Sequence, residues 1–280
     1  MITTLGKTHI LSYLAGLSPA IAQSISVGVG SAAPSAGDTS LHLEVDRLSI
    51  TSTAIDPVTN KIIFKATLPS GTAVLISELG LWSSDGESDA YLAATFGDFD
   101  EPWEGGAVEE SEHSRFNSTL YNLSISGATP VTANLLTDSM DLSDFFGPRD
   151  RWTLGLYKTG AAPVKVALRL ISTPGAYADM NFFPTNNSST GYIIASTNAG
   201  DATVTGAFDP SSVTSYEIIV TPAAGNAISS VVGLDVISVS NAPEERGGSV
   251  LVARHLVTPF RTSPESPTDV EFELGVGIST

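Results

Sequence analysis

The densest group of side chains that could do chemistry surrounds Pro102 and Trp103. Seven acidic residues lie between positions 98 and 112: Asp98, Asp100, Glu101, Glu104, Glu109, Glu110 and Glu112. Closely spaced carboxylate oxygens are the ligands that calcium takes, so Asp98, Asp100, Glu101 and Glu104 are calcium candidates. The alternative is a solvated acidic loop at a domain junction. Facing carboxylates in a cleft would instead make a glycoside hydrolase, the third interpretation.

Aromatic residues in polar segments suggest a second kind of chemistry, because an exposed ring can stack on a sugar while keeping a polar edge. The residues to watch are Trp103, Tyr157, Tyr177, Phe182, Phe183 and Tyr192. Phe182 and Phe183 are adjacent in a polar loop and cannot both be buried on one strand face, so one of them is a candidate for contact with a glycan or a partner. The favoured interpretation is that the pair caps the core at the end of the sandwich.

Signals for an enzyme are missing from the sequence. The four histidines are scattered without metal-ligand spacing, and neither a nucleophile elbow nor a phosphate loop occurs. We therefore expect a protein that is not an enzyme and needs no cofactor apart from the calcium considered above. The net charge of −17 repels phosphate backbones, and no run of about 18 apolar residues occurs. Neither nucleic acid nor membrane is an expected partner.

The elements that must position these side chains are mostly strands. Between residues 95 and 245, short alternating apolar runs are separated by turn residues: 118–126, 152–157, 164–172, 191–196, 202–207, 215–221 and 231–239. Such spacing is typical of an antiparallel β-sandwich or jelly roll. The order of strands from 151–157 through 164–169 to 216–220 also resembles jelly-roll carbohydrate-binding modules.

The two ends of the chain predict a different, smaller domain. A helix over roughly residues 5–17, capped by Thr4, carries an apolar stripe of Ile10, Leu11, Leu14 and Leu17 that we expect in the core. The apolar stretch 76–82 has no neighbouring partner strand. Residues 249–256 and 268–276 alternate in the same way and predict a closing hairpin beside it.

The order of motifs at the two ends resembles the tail-collar and tail-fibre attachment domains of tailed bacteriophages. The matching segments are the helix after Thr3, the Gly28-Val-Gly30 strand end, the Gly37-Asp38-Thr39 loop, the Glu78-Leu79-Gly80-Leu81-Trp82 strand and the Leu251-Val252-Ala253-Arg254 strand. The resemblance covers residues 1–82 and 249–280. It departs from the family in the long segment between them, which the family bridges with a short turn.

Together these observations predict a mainly β protein with a small split α+β attachment domain, residues 1–90 plus 246–280, and an inserted β-sandwich, residues 91–245. The resemblance implies a structural component of a tailed-virus virion that docks on other virion proteins through the split domain. It also implies a homo-oligomer, with a trimer favoured. The alternatives are a head decoration protein, or a carbohydrate- or receptor-binding module that contacts a host surface glycan.

Overall fold

The computed structural model describes residues 1–71, 73–84, 91–95, 103–116, 118–183, 185–223, 229–240 and 249–275. It contains one α-helix, α1 (Thr4–Leu14), among the described residues. The strands are β1 (Ser24–Gly28), β2 (Glu44–Ser49), β3 (Ser52–Asp56), β4 (Lys61–Leu68), β5 (Leu75–Trp82), β6 (Tyr91–Thr95), β7 (Ala107–Glu110), β8 (Thr119–Ile125), β9 (Val131–Met140), β10 (Arg151–Lys158), β11 (Val164–Thr173), β12 (Ala176–Asn181), β13 (Gly191–Asn198), β14 (Thr203–Thr205), β15 (Val213–Pro222), β16 (Ser230–Ser240), β17 (Leu251–Arg261) and β18 (Thr268–Gly275).

All pairings between these strands are antiparallel, which confirms the predicted mainly β class. The chain forms two compact units, the first of residues 1–90 with 243–280 and the second of residues 91–242. No helix in the described part of the chain is long and apolar enough to span a membrane.

Unit 1 contains two small sheets, with strand orders β17-β5-β1-β2 and β18-β4-β3. Residues 249–256 do pair with the strand that ends at Trp82, since Leu251 lies opposite Trp82. The predicted closing hairpin is wrong, however, because β18 pairs with β4 instead of β17. An alternating pattern identifies the buried face of a strand but not the strand beside it.

A buried carboxylate joins distant segments of unit 1. Glu78 is fully buried, and its two carboxylate oxygens accept hydrogen bonds from the backbone N–H groups of Gly30, His42 and Leu43 at 2.8 to 3.1 Å. Arg254 donates to the same carboxylate from Nε at 2.9 Å and from Nη2 at 2.6 Å. Its Nη1 donates to Asp38 at 2.9 Å.

Helix α1 lies on β17 at very short range. Thr3, not Thr4, caps the helix by accepting from the backbone N–H of Gly6 at 2.8 Å. A Cβ at Gly6 would lie 2.0 Å from the carbonyl oxygen of Val252, so only glycine permits this approach. The helix therefore turns its glycine side inward, and Leu11, Leu14 and Leu17 are 66, 72 and 81% exposed. The prediction that this stripe is core is therefore wrong for the three leucines, while Ile10 is half-buried.

Unit 2 is a sandwich of two antiparallel sheets. One has the strand order β13-β10-β16-β8-β7, with β6 also paired to β16, and the other has the order β14-β12-β11-β15-β9. Large apolar side chains from both sheets fill the space between them, among them Trp152, Leu154, Leu168, Leu170 and Leu234. The predicted strands at 118–126, 152–157, 164–172, 191–196, 202–207, 215–221 and 231–239 all occur, with ends within two residues of those expected.

Replacing Glu78 with alanine should destabilise unit 1 strongly, because Arg254 and three backbone N–H groups would lose their acceptor in the interior. Breaking a buried pair on one side costs about 3–5 kcal/mol, and urea unfolding would measure the loss. The matched control is Glu271→Ala, which removes an exposed partner of Lys65 and should leave the midpoint unchanged. Equal midpoints for the two variants would contradict the role assigned to Glu78.

Candidate functional site

The outer face of the five-stranded sheet in unit 2 carries the best-organised set of polar side chains. Its central strand, β11, buries alternate residues from Val164 to Leu170 and turns Lys165, Ala167, Arg169 and Ile171 outward. Directly paired residues of antiparallel strands lie on the same face. The strand register therefore identifies which side chains of the neighbouring strands stand beside these four.

One level of this face is a continuous row of polar residues across the sheet. Register places the following side by side, in order: Glu104, Asn134, Glu217, Arg169, Asp179 and Thr203. With strands about 4.8 Å apart, the row extends roughly 24 Å. We call it the polar row.

Arg169 is the centre of the polar row and is held by both neighbours. Its Nε donates to Asp179 Oδ1 at 2.7 Å, and its Nη2 donates to Asp179 Oδ2 at 2.9 Å. Glu217 Oε2 lies 3.8 Å from Nη1 on the other side. The hydrogen bonds to Asp179 raise the pKa of Arg169 above its usual range, so the guanidinium is a fixed, planar donor group.

The adjacent level of the face is less polar and includes an aromatic ring. Register aligns Leu136, Ser215, Ile171, Tyr177 and Thr205 across the five strands. The guanidinium carbon of Arg169 lies 4.0 Å from the centroid of the Tyr177 ring, a cation–π contact that fixes the ring's orientation. Leu136 is 68% exposed. We call this level the aromatic row.

At the far end of the polar row, Asn134 has an acceptor without a donor. Its Oδ1 atom is buried and makes no hydrogen bond, although its backbone is paired with Glu104 on one side and Glu217 on the other. A buried acceptor without a partner costs free energy. The row thus ends in two carboxylates and an amide oxygen, which are all groups of the acceptor type.

The outer face of the other sheet is covered by its own chain. Residues 111–116, which we call the strap, cross this face between β7 and β8. His113 stacks on Tyr157 with ring centroids 4.0 Å apart, and the Arg115 guanidinium lies 4.0 Å from the Tyr192 centroid. The rings of Tyr157 and Tyr192 therefore contact the strap.

Asp235 anchors the strap from below. It is 1% exposed and accepts from Ser114 Oγ at 2.8 Å, the Arg115 backbone N–H at 2.9 Å and Tyr192 Oη at 2.5 Å. Burial raises the pKa of Asp235, and these donors oppose that effect. Burial also raises the pKa of Tyr192 well above its usual value, so its hydroxyl stays protonated and continues to donate.

The aromatic residues predicted to contact a ligand lie in different environments. Tyr177 lies on the outer face beside Arg169, while Tyr192 is held beneath Arg115. Phe182 and Phe183 are 4 and 8% exposed and belong to the core, which agrees with the favoured core-capping interpretation, and their candidacy as glycan or partner contacts is wrong. They fit together because each lies beyond the end of β12, outside its strict alternation. Trp103 packs against the core and lies 6.2 Å from Tyr121.

The calcium candidates can be followed only in part. Asp98, Asp100 and Glu101 lie outside the described residues, and Glu104 is exposed and joins the edge of β9. Within the described ranges, no group of three or more histidine or acidic side chains could hold a metal ion. The calcium site therefore stays a prediction.

Sequence reasoning missed Arg169, Asp179 and Glu217. The signal that could have found the first two is period-two alternation, since Lys165, Ala167 and Arg169 share one face of β11, and Tyr177 and Asp179 share one face of β12. Which residues of β11 and β12 lie beside each other depends on the strand register, which the alternation in the sequence does not determine.

No protein-family model and no curated protein sequence matches the chain. Among solved structures, the agarase AgWH50C is similar at 9% identity and a TM-score of 0.38 over 54% of this chain, which spans only 25% of the agarase chain. A family 30 carbohydrate-binding module is similar at 14% identity and a TM-score of 0.40, and the match covers 64% of this chain and 88% of the module. The family 11 carbohydrate-binding module of Lic26A-Cel5E from Clostridium thermocellum is similar at 9% identity and a TM-score of 0.36, and the match covers 54% of this chain and 88% of the module. Similarities this weak assign neither a family nor a function.

Asp235 predicts a pH dependence of stability. Because its pKa is raised on folding, the folded state keeps the proton at pH values where the unfolded chain has lost it. Stability should therefore fall as pH rises above the ordinary value of 3.8. Urea unfolding at pH 4 and pH 7 measures it, with Asp235→Asn as a reference that cannot titrate. A wild-type protein that gains stability relative to this reference between the two pH values would refute the assignment.

Proposed function

We propose that unit 2 binds a neutral glycan on the outer face of its five-stranded sheet. The observation that carries the proposal is the pair of adjacent rows, one with a ring and aliphatic side chains, the other with fixed hydrogen-bonding groups. A sugar has the matching chemistry, since its C–H faces pack on rings and its hydroxyl edges exchange hydrogen bonds. The role is binding rather than catalysis.

The charges of the face favour a neutral ligand over an acidic one. On this face the three carboxylates of Glu104, Glu217 and Asp179 outnumber the two cations, Lys165 and Arg169. Asp179 and Glu217 already engage Arg169. The whole chain carries a net charge of −17. Uronic, sialic or sulfated sugars would be repelled by this field, whereas hydroxyl groups can donate to the carboxylates.

Removing the Tyr177 ring should weaken glycan binding by about two- to tenfold, because an aromatic contact contributes roughly 0.5–1.5 kcal/mol. The full chain is first screened on an array of neutral, acidic and amino glycans. Tyr177→Ala is then titrated calorimetrically with the neutral glycans that bind.

Tyr13→Ala is the matched control, since Tyr13 is a partly exposed tyrosine on α1 in unit 1. Binding to no glycan, preference for acidic glycans, or equal loss in both tyrosine variants would each overturn the proposal.

A second function is proposed for unit 1, as an attachment domain of a tailed-virus virion that assembles with further copies of itself. It rests on the resemblance of the two chain ends and on the exposed leucines of α1. The helix contains no acidic residue and carries Lys7 and His9, so two copies meeting there avoid most of the repulsion expected of an acidic chain. The apolar area of Leu11 and Leu14, and of Leu17 just beyond the end of the helix, would then be removed from water.

Leu11→Ser combined with Leu14→Ser should convert an oligomer to a monomer, because both side chains would lie in the interface. Sedimentation velocity measures the mass, and Val58→Ser, an 87% exposed apolar residue outside α1, is the control. A wild-type monomer would rule out self-assembly. Mass spectrometry of purified virus particles tests the virion location separately, and absence of the chain from particles would end that proposal.

A further inference from the structure

A polar cleft lies at the edge of the sandwich in unit 2. Its volume is about 430 Å³, within the range of roughly 300–1,000 Å³ that small-molecule sites occupy. Both sheets contribute to it. Asn181 comes from the last position of β12, Ser196, Thr197 and Asn198 come from the end of β13, and Asp201 belongs to the 3-10 turn Ala199–Asp201.

The lining of the cleft suits hydroxyl groups. Its two amides and two hydroxyls can each donate and accept, and Asp201 adds a carboxylate acceptor. Ser196 is held in place by Arg151 Nη2 at 3.0 Å and by Thr153 Oγ1 at 3.1 Å. A ligand with alternating donors and acceptors on a compact ring would find partners on several sides, which describes a sugar better than an apolar or anionic compound.

The cleft is continuous with the outer face of the five-stranded sheet. Tyr177, Asp179 and Asn181 alternate along β12 and all turn outward, away from the buried Ala178 and Met180. Residues four apart on a strand are about 13 Å apart, so the distance from the Tyr177 ring to the cleft exceeds the length of one sugar ring. A ligand that contacts both must be a chain of sugars.

We infer that the cleft is the terminal subsite of a binding track that begins at Tyr177 and passes Asp179. This inference rests on the proposed glycan function and adds the ligand class to it. The ligand is a linear neutral oligosaccharide of roughly three or more units, given the ~13 Å track, and Asn181 and Asp201 hold the unit inside the cleft.

The test is a length series. Linear gluco-, xylo-, manno- and galacto-oligosaccharides of about two to six units, a range set by the ~13 Å track, are titrated calorimetrically into the full chain. Affinity is expected to rise steeply once the oligosaccharide reaches the cleft. Asn181→Ala and Asp201→Ala should each weaken the long ligands by up to about tenfold, as for loss of one hydrogen bond. Both should leave the disaccharide unchanged.

The disaccharide is the internal control for each variant, and thermal unfolding confirms that both variants are folded. Binding that depends on Tyr177 but shows neither length dependence nor an effect of Asn181 or Asp201 would overturn this inference and leave the proposed function standing. Binding of no oligosaccharide, or binding indifferent to Tyr177→Ala, would overturn the proposed function and the inference with it.

Discussion

Unit 1 depends on one buried ion pair, that of Glu78 with Arg254. The carboxylate of Glu78 lies in the middle of β5, an internal strand of its sheet, where a buried charge would be strongly unfavourable without charge-assisted hydrogen-bond partners. Three backbone N–H groups from the segment 30–43 and the guanidinium of a strand near the C-terminus supply them. Arg254 in turn holds Asp38 and the carbonyl oxygen of Ala32. The pair therefore determines the path of a polar loop that has few apolar residues of its own.

The same pair explains why the separated motifs of the sequence form one unit. Glu78 belongs to the Glu-Leu-Gly-Leu-Trp strand, Asp38 to the Gly-Asp-Thr loop and Arg254 to the Leu-Val-Ala-Arg strand, and each motif supplies the charge that another needs. Trp82 adds an apolar counterpart, with the Arg47 guanidinium 3.8 Å from its ring centroid and its Nε1 donating to Ser26 at 2.7 Å. If these groups were held by close packing alone, other residues of similar size could replace them. Because they are held by opposite charges, each position requires a group of the right charge.

Alternating patterns in the sequence were enough to predict the mainly β class, the sandwich strands of the insert and the pairing of residues 249–256 with the strand ending at Trp82. They were not enough to predict which strand pairs with β18, because alternation indicates which face of a strand is buried but not which strand lies beside it. Helical periodicity failed on α1 for a related reason. Its most apolar face is exposed, because the absence of a Cβ at Gly6 lets the opposite side approach β17 more closely than leucines could.

The candidate site was predictable only one residue at a time. Tyr177 could be named as a ring in a polar setting, but its contact with Arg169 arises from the register of β11 against β12, which turns and bulges set. Glu217 and Asn134 join the polar row from strands 48 and 35 residues away from Arg169 along the chain. The sequence left display of one ring open beside core capping for Phe182 and Phe183, because their burial depends on where β12 stops alternating and the chain crosses to the other sheet.

The two outer faces of the sandwich carry similar residue types and differ in what covers them. On one sheet the strap places His113 and Arg115 on the rings of Tyr157 and Tyr192, and buried Asp235 fixes it there with four donors, two of them backbone N–H groups. Opening that face would strip a carboxylate of its partners in the interior, which is costly. On the five-stranded sheet, the guanidinium of Arg169 contacts the Tyr177 ring, and it belongs to the face itself. Under the proposed glycan binding, a ligand would occupy this second face without displacing any segment that the structure describes, and that difference in cost, more than the identity of the residues, favours this face as the binding surface.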